Sequence, residues 1–140
     1  MTDRGPLSWS LCAFYSFLLF ATALSYGSPY PVFGEVFTGR AANAAVLMDC
    51  LILLHILIGV WKAQRLSWYL LLSYNGFELA SLAATVFRLG AEGLARVAGE
   101  ETSPQAVQTG AVVLGAALAI ATLHAVKLRN AFRNPNPFLF

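Results

Sequence analysis

Between Ala42 and Arg88 two long apolar arms are joined by the short basic turn Lys62-Ala63-Gln64-Arg65. Each arm holds about 20 mostly apolar residues, enough at 1.5 Å per residue to cross roughly 30 Å of hydrocarbon. An apolar stretch of that length folds as a helix in lipid, where every backbone N–H and C=O must be satisfied within the segment. Yet the first arm carries Asp49 and the second Glu78, both near mid-arm. A charge there costs several kcal/mol in lipid, so both acids should face protein or water and have partners.

The rest of the chain agrees with a membrane protein. Its charged share of 11% falls far below the roughly 25% of soluble domains, and 58% of residues are hydrophobic. Two further apolar runs, about 7–26 and 105–127, flank the central pair at about 42–61 and 66–88. The expected fold is all-α: one four-span antiparallel bundle occupying residues 1–140. The first run resembles a signal peptide, with Arg4 ahead and Ala21-Thr22-Ala23 like a cleavage site. It is long for that role, so a retained span is expected. A net charge of +2, with the basic residues at helix ends, argues against a nucleic-acid partner.

Residues 27–41 are dense in Gly, Pro and aromatic side chains, which disfavours a helix there. A loop on the membrane surface or over the bundle mouth is expected. Leu89, Leu94 and Val97 recur at helical spacing among charges, suggesting a short interfacial helix over 89–100. Ser103 and Pro104 then suit the N-cap and first position of the last span. In that span Ala111, Gly115 and Ala119 form a small-residue stripe fit for close helix packing.

Arg4, Lys62, Arg65, Lys127, Arg129 and Arg133 fall on one side of a four-span arrangement. Only Arg40, Arg88 and Arg96 fall on the other, beside Glu35, Glu92, Glu100 and Glu101. Lys and Arg collect on the cytoplasmic side, so both termini are expected there. Trp9, Trp61, Trp68 and Tyr69 land at the same boundary. The brevity of the chain and this bias point to a bacterial inner membrane.

Asp49 lies twelve residues before Trp61, and Glu78 twelve after Leu66. Each is therefore about 18 Å from the turn end of its arm, at one depth in an antiparallel pair. Spacing leaves open whether they face each other. A facing pair would hold a shared proton or a cation. Asn75, Glu78, Ser81 and Thr85 also keep to one stripe of the third span, which should face other helices or a cavity. The plainer reading of these residues is a hydrogen-bonded glue between helices.

His55 and His124 lie toward the cytoplasmic ends of their spans. Two such histidines on different helices are a candidate axial pair for a b-type haem, although a lone histidine per helix is more often a core residue. His55, Trp61 and Trp68 would be a still weaker quinone pocket. Cys12 and Cys50 sit in apolar runs without metal-like spacing, so neither a disulfide nor a metal site is expected. No GxSxG, HExxH or Gly-rich phosphate loop is present, which argues against an enzyme. The leading expectation is a non-catalytic membrane subunit that packs on a larger complex or on itself. A proton, cation or small-solute transport or channel module built on Asp49 and Glu78 is the alternative, and a redox subunit the lesser one.

Overall fold

The computed structural model describes residues 6–99 and 102–135. Arg4, Glu100, Glu101 and the aromatic end of the C-terminal tail lie outside the described residues. Four helices dominate: α1 (Pro6–Leu24), α2 (Gly39–Trp61), α3 (Arg65–Ala98) and α4 (Pro104–Lys127). Three of them, α2, α3 and α4, are long and apolar enough to cross a membrane, while the apolar part of α1, Trp9–Leu24, is shorter.

The contacts give the helix directions. Trp9 meets Trp61 edge to face at 5.1 Å, and Thr22 of α1 reaches Asp49 of α2. Sequence order therefore reverses across this pair. Across α3 and α4 it reverses again, with Trp68 bonded to Ala125 and Asn75 to Thr122. Gly115 of the small-residue stripe packs there, where a Cβ would touch Leu82. Ala119 of the same stripe is exposed, and Ala111 is half-buried. All four helices meet in a core built around Tyr15, Leu53, Ile56, Leu71 and Leu118.

The turn between α2 and α3 closes tightly. Gln64 N–H bonds to Gly59 C=O at 2.9 Å and Ala63 N–H to Val60 C=O at 3.1 Å. These two bonds form a Schellman motif, whose left-handed position usually belongs to glycine. Here Ala63 occupies it at φ 52°. The chain returns to this turn after a short 3-10 segment, Arg129–Ala131, and Asn134 bonds by its backbone to both Ala63 and Arg65.

At the other end, residues 27–41, expected as a loop, contain a β-hairpin. Strand β1 (Tyr30–Val32) pairs antiparallel with β2 (Glu35–Phe37) across the two-residue turn Phe33-Gly34. Both turn residues have positive φ, 50° and 80°, as a type I′ turn requires. At 89–100 the chain passes through a non-helical break at Gly90 (φ 64°, ψ −179°) that sets off a last helical stretch of α3, running to Ala98 with Leu94 and Ala95 buried. A glycine supplies that break without a Cβ clash. Ser103 accepts from Ala106 N–H at 3.2 Å and caps α4, with Pro104 beside it.

Candidate functional site

The polar stripe of α3 divides its members among three neighbours. Asn75, fully buried, accepts from the Tyr15 hydroxyl at 2.8 Å and donates to Thr122 at 2.9 Å. It thereby joins α1, α3 and α4. Ser81 accepts from Phe33 N–H at 3.1 Å, and Thr85 from Gly34 N–H at 2.9 Å. These two hydroxyls hold the hairpin turn against α3, where Phe33 and Phe77 also pack edge to face at 5.1 Å. Glu78, between Asn75 and Ser81 in sequence, bonds to neither the hairpin turn nor these neighbours.

Glu78 and Asp49 border the same two cavities. The larger, about 500 Å³, lies between α2 and α3 beneath the hairpin and has Met48, Ile52, Leu70 and Phe77 among its apolar walls. The smaller, about 250 Å³, lies toward α1 and α4 against Phe17, Leu18, Leu114 and Leu118. Tyr30, Asp49, Tyr74 and Glu78 are common to both linings, so they form the polar partition between the two spaces.

Within the partition the two acids differ. Asp49, 9% exposed, accepts from the Tyr30 hydroxyl at 2.8 Å and from Thr22 at 3.5 Å on the same Oδ2. The Tyr74 hydroxyl approaches that carboxylate too. Glu78 is half-buried and takes no hydrogen bond among the described residues. Burial, and then the neighbouring Asp49 carboxylate, push the Tyr30 phenol well above its usual range, so it stays a donor at ordinary pH. One acid is thus held in place by hydroxyls while the other is left to meet whatever enters. A carboxylate of the second kind can bind a proton, a cation or the cationic end of a small solute.

Nothing in the spacing of the sequence marks Tyr30, Tyr74 and Thr22 as partners of Asp49, or Tyr15 and Thr122 as partners of Asn75. In sequence Tyr30 is one of several aromatic residues of a Gly- and Pro-rich stretch. The usable signal was the Phe33-Gly34 pair between two short β-prone runs, which would have folded Tyr30 back toward the helices.

The histidines stand apart from this centre. His124 meets Ser10 of α1 at 3.4 Å, and His55 is half-buried on α2; neither borders the two cavities. Trp61 borders a space with Trp9 and Cys12, whereas Trp68 borders one with Arg65 and Arg129. Cys12 and Cys50 are not joined in a disulfide. No group of three or more metal-ligating side chains occurs among the described residues. The chain matches no known protein family, no curated protein and no solved structure.

Proposed function

We propose that this chain is a non-catalytic four-span membrane protein that binds a proton, a cation or a small cation-bearing solute at Asp49 and Glu78. One observation carries the reading: both carboxyl groups border the same pair of cavities, one of them with largely apolar walls. The opposed helix directions and the basic residues at one end support a bundle with both termini cytoplasmic, in a bacterial inner membrane. In this reading Asp49, oriented by Tyr30 and Thr22, fixes the field of the site, and Glu78 exchanges its occupant. The carboxyl groups act as a pair, because a charge on one disfavours a charge on the other. Proton flux into liposomes tests it. The natural chain should carry flux that Asp49→Asn/Glu78→Gln loses; equal flux from both proteins rejects the reading.

A second reading, a subunit that packs on a larger complex or on itself, is favoured by α4. This helix is the least covered of the three long ones, with 17% of its most apolar window buried against 33% for α2. Val112, Val113, Ile120 and Leu123 project from it beside the exposed Ala119. Cross-linking from cysteines placed at Ala119 or Val112 tests this face; only monomer at every bilayer protein density removes it.

A further inference from the structure

The end of the molecule opposite the hairpin holds a separate cavity, unrelated to the acid pair. About 260 Å³ in volume, it is bordered by Arg65, Arg129 and Arg133 together with Trp68, Tyr69 and Phe132. Among the described residues no carboxylate borders it. Among the described residues these three arginines form no ion pair, and the pair that does occur, Glu92 with Arg96, lies at the far end of α3.

The site is built rather than incidental. Backbone bonds from Arg65 N–H to Asn134 C=O (2.9 Å) and from Asn134 N–H to Ala63 C=O (3.0 Å) fasten the returning chain to the turn. That fastening brings Arg129 and Arg133 beside Arg65, more than sixty positions away in sequence. Arg133 Nε donates to Asn130 C=O at 2.7 Å, and the Arg129 guanidinium lies over the Trp68 ring at 5.4 Å. Trp68 is itself fixed by an indole N–H bond to Ala125 C=O at 2.8 Å. Stacking on Trp68 gives one guanidinium of this lining a fixed place, and a hydrogen bond to backbone gives another. The cavity also opens at the first turn of α3, where the helix dipole adds partial positive charge.

We propose that this cavity binds a phosphate group, carried by an anionic phospholipid headgroup or by a soluble phosphate. Guanidinium forks match phosphate oxygens in pairs, which a lysine cannot do. The volume falls below the roughly 300–1,000 Å³ of sites for drug-sized molecules and suits a small headgroup. Trp68 and Tyr69 are of the type that collects at headgroup depth, and basic pockets at the cytoplasmic ends of helices receive such groups.

A topological role alone would treat all cytoplasmic cations alike, so Lys127, at the same end but outside the cavity lining, is the control. The test uses the full chain purified in neutral detergent and stripped of lipid. Binding of fluorescent phosphatidylglycerol is followed by anisotropy, with phosphatidylcholine as the zwitterionic comparison. Arg65→Gln and Arg133→Gln should each weaken phosphatidylglycerol binding by about five- to tenfold, and Lys127→Gln by less than about twofold. Arg133→Lys, which keeps the charge and loses the fork, should fall between and covers the case in which Arg133→Gln does not fold. Inorganic phosphate and glycerol phosphate are then added as competitors. Displacement of the lipid by either assigns the site to phosphate from both sources; lipid binding that resists both assigns it to the headgroup. Saturable stabilisation by the soluble phosphates without lipid binding assigns it to soluble phosphate. Equal effects of Arg133→Gln and Lys127→Gln, equal binding of phosphatidylcholine, or binding of none of the probes overturns the proposal.

Discussion

The two ends of this molecule are closed in different ways. At one end the α2–α3 turn and the returning chain are joined backbone to backbone, over the buried side chains of Gln64 and Ser67. At the other end the hairpin is held over the larger cavity through side chains: Tyr30 on Asp49, Ser81 under Phe33 and Thr85 under Gly34. Backbone bonds within a turn are lost only when the turn unfolds, whereas side-chain tethers of this kind, worth about 1 kcal/mol each, can release one at a time. The two closures therefore differ in how they are released: the first as a unit, the second one tether at a time.

The sharpest way to break that contrast is at Gly59. A Cβ there would run into the Ser67 side chain, itself fully buried. Gly59→Ala should therefore lower stability by about 3 kcal/mol, read from thermal or denaturant unfolding in detergent. Gly76→Ala, on α3 with open space around it, should be neutral or stabilising by up to about 1 kcal/mol in the same assay. Similar losses at both positions would mean that the turn is not closely packed.

Releasing the hairpin should produce a smaller and more local effect. Ser81→Ala with Thr85→Val removes both acceptors for the turn and should cost about 2 kcal/mol in all. Amide exchange should rise at 30–37 and stay unchanged around 59–67. A uniform rise along the chain would erase the distinction between the ends.

Tyr30→Phe tests the third tether, at about 1 kcal/mol. The folded phenol is raised above its unfolded value, so its contribution is complete below about pH 10 and is lost as pH climbs beyond. The melting difference between the natural chain and Tyr30→Phe should hold from pH 8 to 10 and narrow above it. A difference that widens in alkali would reverse the sign of the coupling.

Smallest of all is Ala63→Gly. Relieving a left-handed alanine should stabilise the closed end by about 0.5 kcal/mol, against the usual penalty for introducing glycine. A loss instead would show that the turn carries no strain at this residue.

What the sequence made legible follows from which rules are local. Apolar length marks the long helices, and Ser103-Pro104 marks the start of α4, because spans and caps depend on residues a few positions apart. The stripe of Asn75, Glu78, Ser81 and Thr85 was visible for the same reason. Its division among three neighbours was not, since Asn75 depends on Tyr15 and Thr122, distant in sequence and ordinary in type. The hairpin was hidden by two prolines that read as loop, although Pro31 is tolerated on a short two-stranded ribbon. The arginine cavity joins residues from the middle of the chain to residues near its C-terminal end, and a charge count records them only as a topological bias.

Dibromobimane, which becomes fluorescent when it bridges two nearby thiols, addresses the acid pair directly. In a Cys12→Ser/Cys50→Ser background, Asp49→Cys with Glu78→Cys should bridge readily, while Asp49→Cys with Gly76→Cys should not, since Gly76 borders neither cavity. No bridge between positions 49 and 78, with both single variants still reactive toward monobromobimane, would contradict a shared polar partition.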